Sequence, residues 1–161
     1  MLRVMKILLA AGIALWGLLG AFGNIANWPA TTGAVAAVTS MSTFAGGPQR
    51  WQATTNPAVI LAGALFILLG KVVSGLLCAA GAWRMWVARE GDAATFGRAK
   101  TMVLSGCAVA MFMLFVGFNV IGGGWFELWR SDMLREQAGE PAFGYGGMIA
   151  LIALFVWAQD D

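Results

Sequence analysis

The chain has no histidine, two cysteines and few charges: 11% of its 161 residues are Asp, Glu, Lys or Arg. A soluble domain carries about a quarter. Each shortage closes off a class of chemistry. Without imidazole there are no axial ligands for a membrane b-type haem and no usual ligand set for catalytic zinc, copper or non-haem iron. Ser-His-Asp and Cys-His catalysis fall by the same absence. Cys78 and Cys107 are too few for a disulfide framework or a four-cysteine metal site. The net charge is only +2, and the basic residues flank apolar runs instead of forming a patch, which sets nucleic acid aside. No cofactor is implied and no enzyme is expected.

What is present in excess is apolar surface, with 60% hydrophobic residues and a mean hydropathy of +0.76. It is gathered into four runs, at about 7–25, 58–86, 101–123 and 142–158. A spanning helix needs about 20 apolar residues, and all four qualify, the last at the short end. The first run follows MLRVMK and has the order of a signal peptide, but it is too long for one and holds Trp16. Period-2 alternation, the mark of a membrane strand, is missing. The expected fold is an all-α, four-transmembrane-helix bundle forming a single membrane domain over 1–161.

Orientation follows from Lys and Arg near the ends of the runs. Arg3, Lys6, Arg84, Arg89, Arg98 and Lys100 lie on one side, against Arg50, Arg130 and Arg135 on the other. The richer side marks the cytoplasm, giving N-in/C-in in a bacterial inner membrane. Tryptophan is an independent check, because indole prefers the headgroup level. Trp28, Trp51, Trp125 and Trp129 fall at outer ends, and Trp83, Trp86 and Trp157 at inner ends.

Short interfacial helices are expected in both outer loops. In the first, Pro29 suits an early helical position, and Ala34, Val38, Met41 and Phe44 recur at helical spacing. AGGPQRWQATTNP then reads as turn chemistry up to Pro57, which can start the second span. In the second loop, WFELWRSDMLREQ puts Trp125, Trp129 and Met133 on one stripe, with Glu127, Arg130, Asp132 and Arg135 largely off it. Simple capping of the bundle is the plainer use of both segments.

Among residues able to carry chemistry, Lys71 stands out. It lies 13 residues before Arg84, hence roughly 20 Å from that end and near mid-membrane. A cation there costs about 2.5–3.5 kcal/mol on insertion scales, so such residues face an interior, a partner or a pathway. No carboxylate lies within the four runs, which leaves Ser74, one turn on, and Asn119 as neutral partners. A lysine that snorkels is the plainer alternative. Asn24, Asn27 and Asn119, towards the outer ends, suit a polar cluster or ordinary interhelical hydrogen bonds. Cys78 and Cys107 sit at similar depth and read as small packing residues, as do the pairs Gly70–Ser74 and Gly106–Ala110. The run Gly122–Gly124 ends the third span and cradles no phosphate, since no Lys-Ser/Thr follows.

ALWGLLGAFGNIANW in the first span, SMSTF and RWQATTNPA in the first outer loop, GLLCAAGAWRMW closing the second span and VIGGGWFELWRS after the third form a pattern. It resembles a bacterial family of small integral membrane proteins carrying only a domain-of-unknown-function label. The resemblance covers nearly the whole chain and implies four spans with no established activity. The family pattern has a carboxylate at the position of Lys71 and another near Gly124, so a role carried by an acid in the second span does not transfer here.

Two functions stay open. The first is an accessory or structural subunit of a membrane complex, or a homo-oligomer, docking through Trp28, Trp51, Trp125 and Trp129. The second is a small transporter or channel using Lys71, with Asn24 and Asn119 nearby. Beyond the lipid bilayer, the expected partner is a membrane protein or another copy of this chain.

Overall fold

A computed structural model describes residues 1–159. The described residues are helical or irregular, with no strand. The helices are α1 (Leu2–Ala26), α2 (Trp28–Thr39), α3 (Pro57–Val87), α4 (Ala93–Ala99) and α5 (Thr101–Phe112). A π-helical stretch, Met113–Trp125, follows α5, then α6 (Asp132–Leu134) and α7 (Glu140–Trp157). Four segments are long and apolar enough to cross a bilayer: Leu2–Ala26, Pro57–Val87, Ala93–Trp125 and Asp132–Trp157. The fold class is the expected one, all-α with four spans. The fourth is not short, because helical backbone begins ten residues before the apolar run does.

The chain divides into two compact units. The first comprises Met1–Ala21, Gly70–Met111 and Gly147 onwards. Its logic is that of lipid, where large side chains gain nothing by hiding from the solvent and close backbone approach does the packing. On α1 the buried face is mostly small, with Ala10, Ala14, Gly17 and Ala21, while Leu8, Leu15 and Leu19 point outward. A Cβ on Gly17 would stand 2.8 Å from the Lys71 carbonyl oxygen and 3.0 Å from Gly75 Cα, so α1 and α3 touch backbone to backbone. The opposite side of α3 meets α5 in the same way. A Cβ on Gly106 would stand 2.9 Å from the Ser74 carbonyl oxygen and 2.6 Å from Cys78 Sγ. Buried Cys78 and Cys107 are free thiols, and Cys78 Sγ donates to the Val103 carbonyl at 3.7 Å, the packing role expected of them.

The second unit, Phe22–Leu69 with Phe112–Gly146, holds the loops that follow the first and third spans. Pro29 occupies the first turn of α2, and Pro57 opens α3, as its sequence context suggests. The stripe running on to Met41 and Phe44 is not helical, however. The helix stops at Thr39, and Met41 turns left-handed (φ 52°) and is fully buried. Core burial of that one side chain wins over helical spacing. The second loop is likewise not one amphipathic helix. A left-handed Glu127 (φ 51°) separates the π stretch from a single 3₁₀ turn at Leu128–Arg130, and Ser131 caps α6 through its hydroxyl. Trp125, Trp129 and Met133 remain exposed without sharing a helix. Gly122–Gly124 lie in the last turn of the third span, as expected, and that turn is wide, with the Phe126 N–H bonding five residues back to the Ile121 carbonyl.

Candidate functional site

The second unit brings these two loops together. Trp51 packs edge-on against Trp125, ring centroids 5.1 Å apart at 78°. Gln52 donates its side-chain amide to the Trp125 carbonyl at 3.3 Å. Glu127 accepts from Arg130 at 2.9 Å and pairs with Arg50 at 3.6 Å, and Arg130 lies 4.8 Å over the Phe44 ring. A left-handed glutamate is strained by about 1–3 kcal/mol, and such strain persists only where its surroundings impose it. Here the surroundings are two arginines, one from each loop. The result is a latch that holds Trp125 in place and presents Trp51 (81% exposed) and Trp129 (63% exposed) outward.

The Arg130 hydrogen bond and the Arg50 charge hold the Glu127 carboxyl below its ordinary value of 4.5. A depressed folded-state value means that its stabilising contribution is complete above 4.5 and drains away as pH falls below it, through the lowered value. Acidification below that point is therefore expected to loosen the loop pairing. Protection factors of the backbone amides of 50–53 and 125–131, exchange rates referred to the intrinsic rate at each pH, should fall there in the wild type. In Glu127→Gln they should already be low at neutral pH. Equal protection in both proteins across the range would rule the latch out.

Lys71 is half-buried in the first unit and lies along α1. A Cβ on Gly20 would stand 3.2 Å from its Cδ and 3.3 Å from its Nζ, so the missing side chain of Gly20 is the room that Lys71 occupies. Ser74 is not its partner: the Ser74 Oγ is buried without a hydrogen bond, on the part of α3 packed against α5. Asn119 donates to the Leu114 carbonyl of its own helix at 3.3 Å, and the Asn24 carbonyl accepts from the Thr31 hydroxyl at 3.1 Å. Half-buried Trp28 opens α2, where its carbonyl accepts from Thr32 at 3.1 Å. Of the residues singled out from the sequence, the structure thus joins Trp51 with Trp125. It adds Arg50, Gln52, Glu127 and Arg130, which no local pattern marks, because the pairing is between loops more than seventy residues apart. Among the described residues no three His, Cys, Asp or Glu side chains gather to hold a metal.

A chain of four long apolar spans whose helices meet through small residues is an integral membrane protein. It belongs to the family described as "predicted small integral membrane protein (DUF2165)", whose model matches residues 2–159 and whose function is unknown. No curated protein and no solved structure matches the chain.

Proposed function

We propose that the protein is a non-catalytic component of a bacterial inner membrane, with both termini in the cytoplasm, that docks another membrane protein or a second copy of itself on its Trp-rich outer surface. The observation that carries this reading is the latch between the outer loops. Exposed tryptophans rimmed by arginine have the composition of interaction hot spots. Fixing them in advance lowers the ordering cost of binding. The orientation is supported by the six basic residues from Arg3 to Lys100 against three at the other ends. The setting of Lys71 supports docking over transport, since its methylenes lie against a helix backbone and a conducting path needs a hydrated polar lining.

The test is to extract the tagged protein from its native membrane in mild detergent, measure particle mass and identify what co-purifies. A stoichiometric particle larger than one chain is expected. It should shrink when Trp51 and Trp129 are replaced by alanine, hot-spot truncations that typically cost about 2 kcal/mol or more each. A lone chain whose mass is indifferent to both substitutions would refute docking and return attention to transport through Lys71.

A further inference from the structure

The contact between α3 and α5, in the first unit, encloses side chains that have no part in the docking reading. Cys78 and Cys107 are both 0% exposed and both free thiols. Their side chains lie within hydrogen-bonding reach of one another across the two helices. Glycine makes the approach possible, since the Cβ that Gly106 lacks would stand 2.6 Å from Cys78 Sγ and 3.0 Å from the Cys78 nitrogen. One turn before Cys78, Ser74 is also fully buried and its side chain reaches the Cys78 sulfur, yet its Oγ makes no hydrogen bond. A buried hydroxyl left unbonded costs about 1–3 kcal/mol and calls for a physical reason. An ionised Cys78 sulfur supplies one, because a thiolate is a far better acceptor than a thiol.

The chemistry of the group selects its ligand. Neither α3 nor α5 carries Asp, Glu or His, so a hard ion finds no carboxylate there, and zinc finds only half of its usual four ligands. Two cysteine sulfurs suit a soft, filled-d-shell cation that is content with two ligands, and copper(I) is the biological example. Charge narrows the choice further, because among apolar helices a neutral assembly is favoured over a charged one. One thiolate neutralises one monovalent ion. The Cys78 S–H bond breaks and its proton leaves for bulk solvent. Metal–sulfur bonds then form to the Cys78 thiolate and to a lone pair of the Cys107 thiol, and no electron is transferred. The Ser74 hydroxyl donates to the new thiolate. The hydrogen bond given up is the long one, 3.7 Å, from Cys78 Sγ to the Val103 carbonyl.

We infer that Cys78 and Cys107 form a two-coordinate site for a soft monovalent cation of the copper(I) class, resident between α3 and α5 and joining them. Neither sulfur reaches the surface, so the ion enters only as the helices part, and its exchange should be slow.

The full chain, reduced and kept free of oxygen in mild detergent, would be titrated with copper(I) in competition with bicinchoninate. The wild type should take up one equivalent and hold no zinc(II). Cys78→Ala and Cys107→Ala should each weaken binding by about a hundredfold or more. Ser74→Ala, which removes a supporting group and no ligand, should cost about tenfold, the low end for such groups. Nine methionines also offer sulfur, but a thioether has no proton to lose. Proton release therefore tests the wild type itself, should the cysteine variants fail to fold: one proton per copper is expected in weakly buffered solution. The proposal is overturned if the wild type cannot hold copper(I) against the chelator. It is equally overturned if Cys78→Ala/Cys107→Ala binds as the wild type does, or if uptake releases no proton, since methionine would then be the ligand.

Discussion

Gly106→Val is expected to leave almost no folded protein, while Gly144→Val in α7 should fold as the wild type does. The built Cβ of Gly106 meets the Ser74 carbonyl oxygen at 2.9 Å and the Cys78 nitrogen at 3.0 Å, both main-chain atoms of α3. Overpacking costs about 1–3 kcal/mol where side chains can move aside. Here two helices would have to separate, opening the contacts of both Cys78 and Val103, so the cost should exceed that range and approach a large share of the total stability, about 5–15 kcal/mol. At Gly144 a Cβ meets nothing within 4 Å. Thermal unfolding in detergent, followed by gel filtration, separates the cases. A Gly106→Val protein with an unchanged midpoint would show that α3 and α5 do not meet backbone to backbone.

Gly20→Val should destabilise by a different route, and the damage should be repairable. Its neighbours are Cδ, Cε and Nζ of Lys71, at 3.2, 3.4 and 3.3 Å, the far end of a flexible side chain. The backbone can stay in place, but the lysine must leave its groove and carry its charge elsewhere in the bilayer. A loss of about 1–3 kcal/mol is expected for the single substitution. Lys71→Ala in the same chain should recover most of it, because residues in contact couple by about 0.5–3 kcal/mol. Midpoints of the four proteins complete the cycle. Strict additivity would mean that Lys71 does not lie over Gly20.

The spans were legible because hydropathy reports lipid exposure directly, and α3, Pro57–Val87, matches its apolar run to within a residue at each end. The start of the fourth was not, because Asp132, Arg135, Glu136 and Glu140 depress hydropathy over its first turns. Those charges satisfy one another along the helix, Arg135 reaching Glu140 at 2.7 Å and Asp132 at 3.3 Å, and the backbone stays helical. Tryptophan positions marked the loop site, since Trp51 and Trp125 are conspicuous alone. The latch beneath them was hidden, because Arg50 and Glu127 acquire meaning only when the loops meet. Lys6 and Lys100 were read as markers of orientation. Nothing local distinguishes a lysine at a span end that reaches water from one that is 2% exposed and turned onto a carbonyl.

The wide winding of Met113–Trp125 has a consequence for how this chain can vary in length. Its backbone bonds five residues back, as the Phe126 N–H does to the Ile121 carbonyl, where an α-helix bonds four back. As an unbroken α-helix, the 33 residues of Ala93–Trp125 would extend about 50 Å, well beyond a hydrocarbon core of about 30 Å. A π turn is an α turn with one residue more, so the stretch works as a coil of slack. A residue deleted there is absorbed by one turn tightening, without rotating the helix before it or the latch after it. The same deletion in α3, whose two sides are pinned through Gly17 and Gly106, would turn every later contact by about 100°.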